Sequence, residues 1–317
     1  MIVVATARPE FWTPATEELR EAAGRPLRVE TLRDDIRRIE LAKPLRWTTP
    51  VFVRHVFPVQ ATVAVDADAI ADVVRERLDR SRLVGIQVRS AGEAGTGRAA
   101  LAEAVAQRLD APIDIQHAEL IVSLLVSSGR VDVGVSTPDE NLSAWAGGER
   151  RFKRYDGQIN RSEFKLLEAL DVFGVACSGR ALDLGAAPGG WSNVLRSAGC
   201  DVLAVDPATL DPRLRGVRHV HSTVGEFLRH PPRERFDLIV NDMRMDARMS
   251  ARTQVSVARY LAPGGTAVVT LKIGRRAPLA EVRDAVRILR EAYEVRGVRQ
   301  LFHNRNEVTA ALTKRAL

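Results

Sequence analysis

The residues with the clearest chemical potential form a glycine-rich loop. Between a predicted strand, Arg180–Leu184, and the helix that follows it, the chain reads D-L-G-A-A-P-G-G-W at positions 183–191. In open α/β sheets, ligands bind beyond the carboxyl ends of the strands, where glycines let the backbone approach a ligand closely. The loop matches the dinucleotide fingerprint G-x-G-x-x-G poorly, and its leading acid and internal proline suit a nucleoside without a pyrophosphate. We therefore expect a nucleoside site here.

Asp206 strengthens this expectation. It ends the next predicted strand, Asp201–Val205, where a carboxylate can accept hydrogen bonds from both hydroxyls of a ribose. An isolated Asp at such a place would be read as a helix cap or a solvated strand end. In combination with the loop, the nucleoside role is favoured.

The elements that must position these residues alternate from residue 162 onward. A helix over Ser162–Phe173 is followed by strands and helices in turn, which predicts an α/β fold with a parallel sheet and helices on both faces. The expected strands are Arg180–Leu184, Asp201–Val205, Val217–Val220, Phe236–Asn241, Thr266–Leu271, Glu294–Leu301 and Glu307–Lys314.

The first half of the chain has a different rhythm, with helices among antiparallel strands, which indicates a smaller α+β unit. The segment Phe52–Val65 alternates apolar and polar residues and is expected to be extended, with Pro58 at an edge or a bend. We predict a small α/β segment over 1–50, an α+β domain over 51–145, a basic linker over 146–161 and the α/β domain over 162–317.

The loop and its surroundings resemble the FtsJ-type 2′-O-ribose RNA methyltransferases over about residues 150–317. The resemblance implies a Rossmann-like sheet that is parallel with an antiparallel last strand. It also implies S-adenosylmethionine as the cofactor. The cofactor-binding residues it implies are Asp183, Gly185, Ala186, Ala187, Pro188, Gly189, Gly190, Trp191, Asp206, Thr223 and Asp242.

That family carries a Lys-Asp-Lys-Glu tetrad, and this chain matches it at Lys165, Asp242, Lys272 and Glu307. The resemblance implies that these four residues are catalytic. The chain has only five lysines against 42 arginines, yet lysine stands at both tetrad positions. This fits a chemical role, because arginine cannot readily lose a proton whereas a shifted lysine can.

Lys272 is the expected general base for the ribose hydroxyl. To act as a base it must be neutral part of the time, so its pKa is expected to fall well below the ordinary ~10.4. Lys165 and the sulfonium of the cofactor would both lower it. Asp242 would orient Lys272, and Glu307 would position Lys165 or the ribose.

The first half adds a second resemblance. The runs A-P-I-D-I-Q-H-A-E-L-I-V-S-L-L-V (111–126) and R-V-D-V-G-V-S (130–136) resemble the end of a THUMP RNA-binding domain. The domain order resembles THUMP-containing enzymes that methylate a cytidine 2′-hydroxyl of 23S rRNA. An RNA partner is therefore expected, with 23S rRNA or a large-subunit precursor as the leading substrate. The same chemistry on tRNA, or a non-catalytic RNA-binding assembly factor, stays open.

Charge points the same way. Residues 150–317 carry 29 Lys and Arg against 18 Asp and Glu, whereas residues 1–149 carry 18 against 22. A basic half suits a polyanionic partner, although arginine-rich composition alone explains it equally well. The residues expected to contact RNA are Arg150, Arg151, Lys153, Arg154, Arg161, Arg275 and Arg276.

Other classes of protein fit poorly. No apolar run approaches the ~18 residues of a membrane span, so no membrane partner is expected. Met1–Ala7 lacks a basic n-region and is predicted to be a strand rather than a signal peptide, which favours a cytoplasmic protein. Cys177 and Cys200 have no metal-ligand spacing, so no metal site is expected. They also lie off the motifs, which argues against a cysteine nucleophile.

Overall fold

Two units, Met1–Arg150 and Arg151–Leu317, make up the computed structural model, which describes residues 1–46, 50–92, 97–230 and 233–315. The boundary between the units lies inside the predicted linker 146–161. In the part of the chain so described, no helix is both long and apolar enough to cross a membrane.

The first unit contains two four-stranded sheets, ordered β2-β3-β1-β4 and β5-β8-β7-β6. The first is antiparallel throughout, and in the second only β6 and β7 run parallel. The strands are β1 (Ile2–Thr6), β2 (Arg28–Arg33), β3 (Ile36–Glu40), β4 (His55–Pro58), β5 (Ala61–Ala64), β6 (Val84–Ser90), β7 (Leu120–Ser127) and β8 (Arg130–Ser136). The helices are α1 (Trp12–Ala23), α2 (Ala67–Arg75), α3 (Arg98–Ala106) and α4 (Pro138–Asn141).

The segment Phe52–Val65 forms two strands, and the chain divides after Pro58, where an edge or a bend is expected. It forms β4, which pairs with β1, and β5, which pairs with β8 of the other sheet. The break follows Pro58, where the chain changes sheets. The first sheet therefore extends beyond the domain boundary predicted at residue 50, and residues 47–49, beside that boundary, lie outside the described residues.

The second unit has the α/β fold that the alternation predicts. One seven-stranded sheet has the order β11-β10-β9-β12-β13-β15-β14, and β15 runs antiparallel to both of its neighbours. The strands are β9 (Arg180–Leu184), β10 (Asp201–Val205), β11 (Arg218–Val220), β12 (Phe236–Asn241), β13 (Leu261–Lys272), β14 (Tyr293–Arg299) and β15 (Glu307–Lys314). The helices are α5 (Glu163–Phe173), α6 (Gly190–Ser197), α7 (Val224–Phe227), α8 (Ala247–Val257) and α9 (Pro278–Leu289).

The strand order fixes where a ligand can bind. From β9 the chain first winds outward to β10 and β11 and then returns to β12 on the other side of β9. The crevice beyond the carboxyl ends of β9 and β12 is the switch point at which open α/β sheets bind ligands. The strands beneath this crevice are buried, as Leu182, Val240 and Val268 show. Val240 and Val268 belong to one hydrophobic core with Leu166 of α5 and Trp191 of α6, so the crevice has rigid walls.

Candidate active site

A cleft of about 850 Å³ opens at the carboxyl ends of the parallel strands in the second unit. This volume is within the range of small-molecule sites. All four tetrad residues line it, and so do nine of the eleven predicted cofactor residues. These nine are Asp183, Gly185, Ala186, Ala187, Pro188, Trp191, Asp206, Thr223 and Asp242.

Gly189 and Gly190, the other two, shape the loop from behind. Gly189 has φ +112° and caps α6, a conformation that glycine adopts without strain. A Cβ on Gly190 would lie 2.9 Å from Ser162 Oγ. Gly190 therefore lets the segment before α5 pack on the start of α6, whereas a Cβ on Gly189 would meet the Leu214 side chain. In the cleft wall, Gly185 has φ +75°, and a Cβ there would come within 3.3 Å of Met243 Cα.

Asp183 is buried behind the loop. The Ser192 hydroxyl donates to its Oδ2 over 2.7 Å. Burial raises the pKa of the Asp183 carboxyl to about 7, although the Ser192 hydrogen bond acts in the opposite direction. Near neutral pH such a carboxyl is protonated about half of the time, and its protonated form can both donate and accept hydrogen bonds.

Asp206 lies where β10 ends, as the sequence predicts, and its carboxylate is anchored by two backbone amides. Ala187 N donates to Oδ2 over 3.1 Å, and Ala208 N donates to Oδ1 over 2.7 Å. The bond from Ala187 N connects the glycine-rich loop to the end of β10. Each carboxylate oxygen keeps a further lone pair with which to accept from a ribose hydroxyl.

Thr223 lines the cleft, but its side chain is engaged in capping α7. Its hydroxyl donates to Glu226 Oε2 over 2.8 Å and accepts from Glu226 N, which completes a capping box. The neighbouring Ser222 also lines the cleft, and its buried hydroxyl has no hydrogen-bond partner among the described residues. A polar group left in this state favours Ser222 over Thr223 as a side-chain contact for a base.

The tetrad residues form a closed arrangement of alternating charges, here called the lysine–carboxylate ring (Lys165, Asp242, Lys272 and Glu307). Lys272 Nζ donates to Asp242 Oδ1 over 2.7 Å and also to Glu307 Oε2. Lys165 Nζ lies 2.5 Å from Glu307 Oε1 and 3.4 Å from Asp242 Oδ2. Each carboxylate thus bridges both lysines, and the ring as a whole is neutral.

The pKa of Lys272 is raised in this structure, so the expectation that it falls is wrong. Burial lowers the pKa, but the negative charges of Asp242 and Glu307 outweigh burial. The pKa of Glu307 is lowered, because the two lysines outweigh the opposite effect of burial. Sequence reasoning expected Lys165 and the sulfonium of the cofactor to lower this pKa. It placed Asp242 beside Lys272 but did not expect Glu307 to contact Lys272 as well.

Thr270 is a contact of the ring that the sequence did not reveal. It is fully buried on β13, its hydroxyl donates to Asp242 Oδ1 over 2.7 Å, and it accepts from Lys272 Nζ over 3.2 Å. Residues two apart on a strand share a face, so the spacing to Lys272 was the available signal. The sequence also left out Arg244 and Arg305, which line the cleft two residues from Asp242 and Glu307.

None of the basic residues predicted to contact RNA lines the cleft. Arg150 belongs to the first unit, where its guanidinium lies 4.0 Å from the Trp145 ring centroid. Arg151 lies 5.7 Å from the ring centroid of Phe302 in the second unit. The others are exposed in the second unit: Lys153, Arg154, Arg161, Arg275 and Arg276.

Cys177 and Cys200 are not in the cleft; they are free thiols packed in or against the core of the second unit. Burial raises the pKa of the Cys177 thiol to about 12, which suppresses its thiolate form. Within the described residues, no group of three or more His, Cys, Asp or Glu side chains is arranged to hold a metal ion.

Comparison with known proteins shows which proteins the chain resembles. Two curated relatives, each named "Ribosomal RNA large subunit methyltransferase M", come from Pseudomonas paraeruginosa and Azotobacter vinelandii. Each is 34% identical over 208 residues, which cover 60% of this chain and 58% of the relative. Among solved structures, TrmN from Thermus thermophilus matches over 99% of both chains, with 16% identity and a TM-score of 0.38. Residues 158–285 match the family model of the FtsJ-like methyltransferases.

Proposed function

We propose that this protein transfers a methyl group from S-adenosylmethionine to a ribose 2′-hydroxyl of RNA. The observation that carries the proposal is the lysine–carboxylate ring at the wall of a cleft of nucleoside-binding character. Methyl transfer to a hydroxyl needs a proton acceptor and a fixed line of approach, and the ring provides a lysine held by two carboxylates.

The residues of the cleft fit the cofactor. Asp206 suits the ribose of the nucleoside part of S-adenosylmethionine, and the backbone of residues 185–188 lines the cleft beside it. Near the end of β11, the Ser222 hydroxyl has no hydrogen-bond partner among the described residues. Asp242 suits the methionine end of the cofactor, beside the ring. When bound, S-adenosylmethionine supplies an electrophilic methyl group on a positively charged sulfur.

In this proposal Lys272 takes the proton from the 2′-hydroxyl while Asp242 and Glu307 hold its Nζ in place. Lys272 must first lose its own proton, which its two carboxylate partners oppose. The sulfonium of S-adenosylmethionine bound beside the ring would add a positive charge, and a neighbouring positive charge lowers the pKa of an ammonium group. Binding of the cofactor would thus shift Lys272 toward the neutral form that catalysis needs.

The proposed substrate is a nucleotide of large-subunit rRNA. The support is the name carried by the curated relatives, whose length this chain matches over 58%. We likewise propose that residues 51–145 form a THUMP-like RNA-binding domain and that the protein acts in the cytoplasm.

Methyl transfer from labelled S-adenosylmethionine to total RNA of cells lacking the protein, fractionated by RNA class, tests this function. We expect label in large-subunit rRNA at one site that resists alkaline cleavage, because a methylated 2′-oxygen cannot attack its phosphate. Label in tRNA would retain the chemistry and change the substrate. The absence of label in naked RNA and in ribosomal precursor particles, despite cofactor binding, would favour a non-catalytic assembly factor.

The exposed basic residues are proposed to bind the RNA backbone. Replacing Arg151, Lys153 and Arg154 by Gln should flatten the salt dependence of RNA binding by up to about two in the logarithmic slope, at roughly 0.7 for each phosphate that is no longer neutralised. Replacing Arg218, Arg229 and Arg287 by Gln removes the same number of positive charges from ion pairs elsewhere in the unit and is the matched control. An unchanged slope in the first variant would mean that these side chains are merely solvated.

A further inference from the structure

Four aromatic rings in the second unit form a continuous group, here called the aromatic cluster (Phe152, Phe164, Phe302 and His303). Phe152 stacks on Phe164 with ring centroids 5.7 Å apart and planes 13° from parallel. His303 contacts the other three rings at centroid distances of 5.0 to 5.6 Å. Phe164 is buried, whereas Phe152, Phe302 and His303 are partly exposed. The cluster thus has a buried base and a partly exposed rim.

The cluster shares its supporting elements with the lysine–carboxylate ring. Phe164 directly precedes Lys165 on α5, and His303 lies two residues before Arg305, which lines the cleft. Two residues of chain span at most roughly 7 Å, so His303 lies beside the cleft. A nucleotide next to the one in the cleft would therefore reach the cluster.

The loop that carries Phe302 and His303 is fixed in place. The buried carboxylate of Glu168, on α5, accepts hydrogen bonds from the backbone N of both Phe302 and His303, each over 2.8 Å. Asn304 Oδ1 accepts from Leu301 N over 2.9 Å, which closes the turn. Rings held in this way lose little freedom when a flat ligand stacks on them.

Positive charge surrounds the rim. The Arg151 guanidinium lies 5.7 Å from the centroid of Phe302, and Lys153, Arg154 and Arg305 are exposed on the same two segments. Proteins that bind single-stranded RNA combine aromatic stacking surfaces with a basic track for the backbone. Mere packing of residues 151–160 onto α5 would require the apolar contact but not the basic residues along it.

We propose that the aromatic cluster stacks a nucleobase of single-stranded RNA adjacent to the nucleotide that enters the cleft. The inference rests on the proposed function for its position in the reaction, but base stacking itself can be measured without turnover. Because any base presents a flat face, the cluster positions the strand rather than selecting a sequence.

The test uses the full-length protein and a mixed-sequence single-stranded 20-nucleotide RNA containing 2-aminopurine, whose fluorescence falls on stacking. Phe152→Leu and Phe302→Leu keep apolar volume but remove an aromatic face. We expect each to weaken RNA binding about five- to hundredfold and to reduce the fluorescence quenching, with binding of S-adenosylmethionine unchanged. Phe173→Leu, the same substitution at the far end of α5, is the control and should leave RNA binding unchanged.

The outcomes separate this inference from the proposed function. RNA affinity and quenching unchanged in both cluster variants would overturn the stacking role, whatever the activity. If Phe152→Leu and Phe173→Leu lost thermal stability and RNA affinity to the same extent, the rings would serve packing only. That result would also overturn the stacking role. If the wild type quenches 2-aminopurine through the cluster but methylates no RNA, the stacking site stands and the proposed reaction fails.

Discussion

Lys272 and Glu307 are direct partners in the antiparallel pairing of β13 with β15, and their side chains form an ion pair. Directly opposed residues have Cβ atoms about 4.5–5.5 Å apart, so the sheet register itself holds this pair together. Lys165 and Asp242 reach the same place from α5 and from the end of β12. The geometry of the ring is therefore set by secondary structure, with Asp242 directly after β12, and secondary structure positions groups more accurately than loops do.

Replacing Lys272 by Arg tests whether it is the base. Arginine retains the positive charge that pairs with Asp242 and Glu307, but it cannot be deprotonated at accessible pH. We expect the methyl-transfer rate to fall at least about a hundredfold while the dissociation constant for S-adenosylmethionine changes little. Single-turnover kinetics and calorimetry provide the two measurements.

Lys314→Arg is the matched control, because Lys314 Nζ donates to Leu261 O and takes no part in the ring. It should leave both quantities unchanged. If Lys272→Arg retained more than about a third of the wild-type rate, Lys272 would be an ion-pair partner only.

Replacing Glu307 by Gln should change the pH dependence of the reaction. The carboxylates raise the pKa of Lys272, so the wild-type rate constant kcat/KM, which reports the free enzyme, should rise across the alkaline range without a plateau. Removing one negative charge lowers that pKa, so the rise in the variant should level off at a lower pH. The pH profile over about pH 6–9.5 measures this.

Glu234→Gln is the comparison for this profile, since Glu234 pairs with Arg218 and does not line the cleft. A rising limb at the same pH in Glu307→Gln and in the wild type would show that the titrating base is not Lys272.

The strands of the second unit could be predicted from the sequence, because short apolar runs between polar turns indicate buried strands. The bounds of β9, β10, β12 and β15 coincide with those predicted. The four ring residues were selected differently, through the resemblance to the FtsJ-type methyltransferases, whose tetrad they match. The local pattern of residue types was sufficient for the strands but not for the ring.

What sequence reasoning missed depends on distances. The direction of the Lys272 pKa follows from which carboxylates touch it, and no pattern of residue types shows that. Two other features did have a signal in the sequence. The spacing T-x-x-E at 223–226 is the signature of the capping box at α7, and Pro58 marks the break between β4 and β5.

Thr270→Val tests whether the hydroxyl beneath the ring positions it. Valine has nearly the same shape but removes the donor to Asp242 and the acceptor for Lys272. We expect kcat to fall about tenfold, with KM for S-adenosylmethionine unchanged, and the free energy of unfolding to fall by about 1–3 kcal/mol. Thr270→Ser keeps the hydroxyl and should recover most of the rate. If Thr270→Ser lost as much rate as Thr270→Val, the shape of the side chain, and not its hydrogen bonds, would account for the loss.

The unfolding free energy of Asp183→Asn, relative to that of the wild type, should increase as the pH rises. The folded-state pKa of Asp183 is about 7 against an ordinary 3.8, so between these values the folded state holds a proton that the unfolded state has released. Stability of the wild type therefore falls as the pH rises through this window, by about 4 kcal/mol at most. Asn is neutral throughout and escapes this loss.

Urea unfolding of wild type and variant at about pH 5, 6, 7 and 8 measures the effect, and the difference in unfolding free energy should grow in favour of the variant. Ser192→Ala provides a second check with the opposite sign. It removes a hydrogen bond that lowers the pKa of Asp183, so its stability should fall more steeply with pH than that of the wild type. If the difference in unfolding free energy between Asp183→Asn and wild type stayed constant with pH, Asp183 would already be ionised in the folded protein near pH 5. The Ser192 hydroxyl and its neighbours would then offset the cost of burial.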